Sequence, residues 1–253
     1  MRVGTYPDKK AARKAHVQKQ EIQTKIGILC WDTGQVPKGL QQLESLVGNS
    51  TNSASYAYPV RFKPVRGANV HTILENPDPA VLQTMIADAR MLASEGIQAI
   101  TTSCGFNAVF QRELAEGAGV PVFTSSLLQV PFARRISGPQ SEVCVITANA
   151  GALGPHHLTS AGIASADGLH ILGLEECPEW NRMFAEPGAE VDLDKIGQEV
   201  LGTAMRALQL HPGIRSFVLE CTDLPPYSAE IRRQSGLPVF DFISMVNHVH
   251  SSL

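Results

Sequence analysis

Two stretches of this chain end alike. Gly119-Val120-Pro121-Val122-Phe123 and Gly236-Leu237-Pro238-Val239-Phe240 coincide when the sequence is slid against itself by 117 positions (221 minus 104). The same shift lays the apolar run ending in Cys30-Trp31-Asp32 on the run ending in Thr147-Ala148-Asn149. It also lays the helical pattern before "IQAITTS" roughly on the one before "IRSFVLE", and Cys104 on Cys221 with no gap. One tetrapeptide match is weak, but several coincident elements point to a duplicated half. Duplication constrains the fold more than composition does, because each half must then build the same layered unit.

The unit is α/β. Short apolar, β-branched runs read as strands: "KIGILCW", "PVRFKPV", "IQAITTS", "PVF", "EVCVITA", "LHILGL", "IRSFVLE" and a second "PVF". Longer helix-spaced stretches such as "PAVLQTMIADARMLASEG" and "DLDKIGQEVLGTAMRALQL" lie between them. Such alternation predicts largely parallel sheets covered by helices. The expectation is two pseudosymmetric three-layer α/β domains with the active site in the cleft between them. Residues 25–127 plus 239–253 form the first half and 128–238 the second. Residues 1–24, with "DKKAARKAHVQKQ", form a basic helical extension, read as a solvated arm or an oligomer contact. The polar stretch "VGNSTNSASYAY" reads as a mobile loop.

Bulk properties narrow the partners. With 43% hydrophobic residues and a net charge of -3 among 253 residues, nothing points to nucleic acid or an anionic membrane surface. The N-terminal stretch lacks the apolar region of a secretory signal, and no run reaches membrane-spanning length. The five cysteines are odd in number and dispersed, with no CxxC pair, which predicts reduced thiols in a cytoplasmic protein. No zinc-ligand spacing is present, so no metal is expected.

Both matched cysteines stand between a strand end and a helix start. Gly105, Phe106 and Asn107 follow Cys104, and Thr222 and Asp223, both able to cap, follow Cys221 before Pro225-Pro226. A helix N-terminus presents free N–H groups and partial positive charge, which lowers a thiol's pKa and attracts carboxylates. Open α/β sheets bind ligands beyond the carboxyl ends of their strands. Two thiols approaching one ligand from opposite sides suit proton removal on one face and delivery on the other.

These residues resemble the aspartate/glutamate racemase superfamily. The resemblance covers about residues 25–253 and is carried by "TTSCGFN", "ECTDLPP" and "ILCWDTGQVP"; "YPVRFKPVRGA" is similar to an uncharacterised branch of it. It implies a two-domain pseudosymmetric enzyme, a dimer or higher oligomer, working without metal, pyridoxal phosphate or nucleotide. Cys104 and Cys221 match the acid/base pair. Asp32 and Thr33 match a substrate-contacting Asp-Ser, Thr147 a carboxylate-contacting threonine, and Thr222 the threonine after the second cysteine. Gly105 and Phe106 displace Asn107 from its usual place beside the first cysteine, and Asp223 stands where His or Glu is common. Together with Ser103 these are the candidate substrate-binding residues.

The implied activity is racemisation or epimerisation of a small carboxylate-bearing compound such as an amino acid or derivative. Alternatives are an isomerase or decarboxylase of the same fold using one thiol covalently, a cysteine hydrolase, and a non-catalytic anion-binding protein. Elsewhere, Cys144 reads as core, Cys177 as a loop thiol and Cys30 as packing near the cleft. Ser125 and Ser126 are candidate cleft hydroxyls, and Tyr56 and Tyr58 candidates to reach the site from their loop. His156, His157, His248 and His250 read as helix-surface histidines.

Overall fold

A computed structural model describes residues 23–34, 36–138 and 141–253. The basic extension therefore lies almost entirely outside the described residues. In chain order the elements are β1 (Ile26–Cys30), α1 (Lys38–Glu44), β2 (Val60–Pro64), α2 (Pro79–Ser94), β3 (Ala99–Thr102), α3 (Gln111–Gly117) and β4 (Val122–Phe123). There follow α4 (Val130–Ser137), β5 (Glu142–Thr147), α5 (Pro155–Ser160), β6 (Leu169–Gly173), α6 (Pro178–Ala185), α7 (Leu193–Leu210) and β7 (Ile214–Leu219). The chain closes with α8 (Ser228–Ser235), β8 (Val239–Phe240) and α9 (Phe242–His250).

Each of the eight expected runs contains a strand. They form two four-stranded sheets of matching order, β2-β1-β3-β4 and β6-β5-β7-β8, with every pairing parallel. Parallel strands covered on both faces read as continuous apolar runs, and Val143, Cys144, Val145 and Ile146 of β5 are all fully buried. In the first sheet, Gly27 of β1 faces Leu92 of α2, while Ile26 and Ile28 pack with Phe242, Met245 and Val246 of α9. Helices therefore cover both faces.

The helices start where the sequence supplies caps. Asp78 accepts the Ala80 N–H ahead of Pro79 at the head of α2, and Asp192 accepts two N–H groups at the head of α7. An N-cap oxygen satisfies donors the helix leaves unpaired, and proline suits the first turn. Asp241 and Ser244 form a reciprocal capping box that starts α9.

Two details depart from the expectation. β8 hydrogen-bonds to β7 in the second sheet, so the chain returns to the first half at α9 rather than at residue 239. The stretch Val47–Tyr58 is tied down: Asn49 and Ser50 are fully buried, and the Tyr56 hydroxyl donates to the Ser50 carbonyl at 2.6 Å. Its small polar residues are there to fold the chain on itself and against the other half, where the Ser50 N–H reaches the Thr222 carbonyl at 3.2 Å. Among the described residues no helix is long and apolar enough to cross a membrane.

Candidate active site

The carboxyl ends of β3 and β7 bring Cys104 and Cys221 to one cavity between the sheets. With the open space at its mouth included, this cavity holds about 670 Å³ of empty space. Cys104 takes the N-cap position of a short 3₁₀ turn (Gly105–Phe110) that runs into α3, as the sequence predicts. Cys221 is followed by Pro225–Tyr227 and α8, but neither Thr222 nor Asp223 caps that helix. The Thr222 hydroxyl donates instead to the Ser103 carbonyl at 2.6 Å, joining the two cysteine motifs directly.

The thiols are buried, 7% and 8% exposed, and their surroundings overturn the expectation of lowered pKa values. Burial, and then the charge of Glu220, push Cys104 up to about 12; the Phe106 backbone N–H and the Trp31 indole N–H oppose this. Cys221 is raised well above its ordinary value by burial, then by Asp223 and Glu220. Desolvation disfavours a thiolate and nearby carboxylates add repulsion, outweighing the few N–H donors at each helix start.

Glu220 is the site residue that the sequence reading passed over. It ends the β7 run, is fully buried, and burial raises its carboxyl to about 7. The Thr147 hydroxyl donates to one of its oxygens at 2.7 Å, while the other has no partner and lies against Gly105. A side chain at Gly105 would collide with that carboxyl and with the Glu220 carbonyl, so glycine is what lets the two motifs meet. A carboxylate closing an apolar strand was the available signal. Burial also raises Asp223, whose oxygens accept from Asn49 at 2.7 Å and from the Cys221 thiol at 3.6 Å.

Aromatic rings supply much of the remaining wall: Trp31, Phe106, Trp180 and Phe184 line the cavity, with Glu44 near its mouth. None of the residues lining it is Lys, Arg or His. Among the described residues no group of three or more His, Cys, Asp and Glu is placed to hold a metal ion.

The other candidates divide. Ser103, Gly105, Phe106, Thr222 and Asp223 line the cavity together with Cys30, Cys104 and Cys221. Asp32 and Thr33 border only the outer mouth, and Asp32 accepts the Thr33 and Gly67 N–H groups, both at 2.8 Å. Thr147 and Asn107 are buried behind the wall; the Asn107 N–H closes the turn onto the Cys104 carbonyl. Tyr56 bonds Ser50 and Tyr58 bonds Asn247, so neither reaches the cavity. Ser125 caps the turn at Leu127. His157 is buried, not superficial, with Phe106 edge-on to its ring at 5.8 Å between centroids.

No family model matches the chain. A dimethylsulfoniopropionate lyase of Durusdinium sp. clade D is 30% identical over 204 residues, covering 78% of this chain and 67% of that protein. The chain belongs to the dimethylsulfoniopropionate lyase family. Dimethylsulfoniopropionate lyase 3 of Emiliania huxleyi is 29% identical over 216 residues, covering 82% of this chain but only 56% of that protein. The chain thus spans about half to two thirds of these two curated relatives.

Solved structures give the fold. Allantoin racemase from Pseudomonas fluorescens superposes with a TM-score of 0.62 at 14% identity, over 91% of this chain and 90% of that one. Unliganded arylmalonate decarboxylase gives 0.54 at 17%, over 90% and 92%. An aspartate racemase homologue from Pyrococcus horikoshii gives 0.53 at 18%, over 88% and 95%. The fold of this chain is the one expected from the cysteine motifs, shared with racemase and decarboxylase structures, and the family shown by sequence is the lyase one.

Proposed function

We propose that this enzyme eliminates a sulfonium group from the β-carbon of a small carboxylate, dimethylsulfoniopropionate or a close analogue, leaving an unsaturated acid. The observation that carries this reading is the cavity wall. Four aromatic residues and two carboxylates line it without a single basic side chain, a surface suited to a cation and poorly suited to a dicarboxylate. Aromatic faces attract an onium centre by about 0.5–2 kcal/mol each, more when water is excluded.

The chemistry follows from the thiols. A bound sulfonium brings positive charge beside Cys104, Glu220 and Asp223 and offsets the repulsion that holds the thiols protonated. Cys104 is the better base, because N–H donors from Phe106 and Trp31 favour its thiolate, whereas Cys221 gives its proton to Asp223 in a hydrogen bond. The Cys104 thiolate takes a proton from the carbon next to the carboxylate. The released electron pair forms the carbon–carbon double bond as the carbon–sulfur bond breaks, and dimethyl sulfide leaves with that bond's electrons. Proton removal concerted with departure avoids a full charge on a weakly acidic carbon. Water exclusion keeps the thiolate strong.

Head-space chromatography of the enzyme with dimethylsulfoniopropionate, with NMR of the solution, tests this. Equal amounts of dimethyl sulfide and acrylate are expected. No dimethyl sulfide, together with inversion of an amino acid or hydantoin, would overturn it in favour of the racemase reading. That second reading is favoured by one observation, the equivalent placement of the two thiols in the two halves.

A further inference from the structure

The lyase reading assigns a cation to the cavity without saying which carboxylate selects it. We infer that Glu44 is the specificity-determining residue for the onium head group, contacting it where the inner cavity opens to the outer mouth. The inference rests on the lyase reading and adds a residue to it.

The other two acids are already engaged. Asp223 accepts from Asn49 on one oxygen and from the Cys221 thiol on the other. Glu220 accepts from Thr147, turns its second oxygen toward Gly105, and stands behind the cavity wall rather than on it. Glu44, the last residue of α1, lines both the inner cavity and the mouth. Among the described residues no Lys, Arg or His forms an ion pair with it.

Trp180 completes the argument. It lines the same cavity, is only 1% exposed, and its buried indole N–H has no partner. An unmade hydrogen bond of this kind costs about 1–3 kcal/mol, so this donor awaits an acceptor such as a carboxylate. An unpartnered donor and an acid without a basic partner in one aromatic cavity fit a zwitterion, its negative end on the Trp180 indole and its onium end on Glu44. A half-buried carboxylate gains from an incoming cation what it lost in leaving bulk water.

The test uses β-alanine betaine, an onium acid with a poor leaving group, and its isostere with carbon in place of nitrogen. Calorimetry on the full chain is expected to give the betaine an affinity about tenfold or more above the isostere, equivalent to about 1.4 kcal/mol. In Glu44→Gln that ratio is expected to fall to about threefold or less, with isostere affinity little changed. Glu44→Asp, which keeps the charge on a shorter arm, retains a cation preference. An unchanged ratio in Glu44→Gln, or equal loss in Gln and Asp, overturns the assignment and leaves the lyase reading standing. A wild-type enzyme that favours the isostere removes the basis of both, and dimethyl sulfide release reports on the lyase reading separately.

Discussion

Ser103-Cys104-Gly105-Phe106 and Glu220-Cys221-Thr222-Asp223 stand at equivalent places in two sheets of the same strand order. Burial and then Glu220 and Asp223 raise both thiols, and each has one backbone N–H. The Trp31 indole favours the thiolate of Cys104 alone, and the Cys221 thiol alone donates to the Asp223 carboxyl. Racemisation asks each of two groups to act as base in turn, so their acidities should be comparable. Elimination asks for one base and a place for the cation. The duplication supplied two thiols in matching positions, and the substitutions around them made the faces unequal.

Breaking this inequality at the thiols should have the largest effect. Cys104→Ser is expected to lower kcat for dimethyl sulfide release by about 10³, within the range for loss of a general base. Cys221→Ser should cost about tenfold. Equal losses would make the two faces equivalent.

Next comes the contact between the motifs. Gly105→Ala drives a methyl group into the Glu220 carboxyl and carbonyl. Overpacking at such a point costs about 1–3 kcal/mol, read as a lower urea midpoint, and activity should fall with it.

Glu220→Gln sharpens the electrostatic side. The folded-state pKa of Glu220 is raised from 4.5 to about 7, so the folded form holds a proton the unfolded chain has already released. Stability therefore drops as pH rises between these values and stays reduced above them. The amide removes this dependence. Its melting temperature should exceed that of the wild type by a few degrees, about 2–4 °C, at pH 8 and match it near pH 4. An advantage that is absent at pH 8 would contradict the burial argument.

The smallest effect expected is that of Thr222→Val, which deletes the hydroxyl bonded to the Ser103 carbonyl. About 1 kcal/mol of stability should go, with kcat changing less than for either thiol variant.

Much of the architecture was legible because a parallel sheet buried on both faces writes itself as apolar runs closed by Gly or Pro. The self-match located β1, β3 and β4 against β5, β7 and β8. It missed the β2–β6 correspondence, since the link over residues 31–59 in the first half is longer than that over 148–168 in the second. That longer link carries Glu44 and the Asn49 contact to Asp223, which a comparison seeking likeness between halves passes over. The cysteines were visible through their register. Asp32 could be read from sequence as a substrate contact or as a cap, because a carboxylate after a strand serves the adjoining N–H groups as readily as a ligand; it accepts the Thr33 and Gly67 N–H groups at the outer mouth. Thr147 stands behind the cavity wall with its hydroxyl on Glu220, whereas Thr222 lines the cavity while its hydroxyl bonds the Ser103 carbonyl. Glu44 and Trp180 left no signal, since only the packing of α1 and α6 from opposite halves brings them to one cavity.

The central claim, one base acting on one face, is tested most directly with dimethylsulfoniopropionate deuterated stereospecifically at the carbon next to its carboxylate. Each hand is converted separately and the acrylate examined by mass spectrometry. The account predicts that one hand yields acrylate retaining its deuterium and the other yields acrylate that has lost it. Mixed retention and loss from both hands would mean that both thiols take protons, and would contradict it.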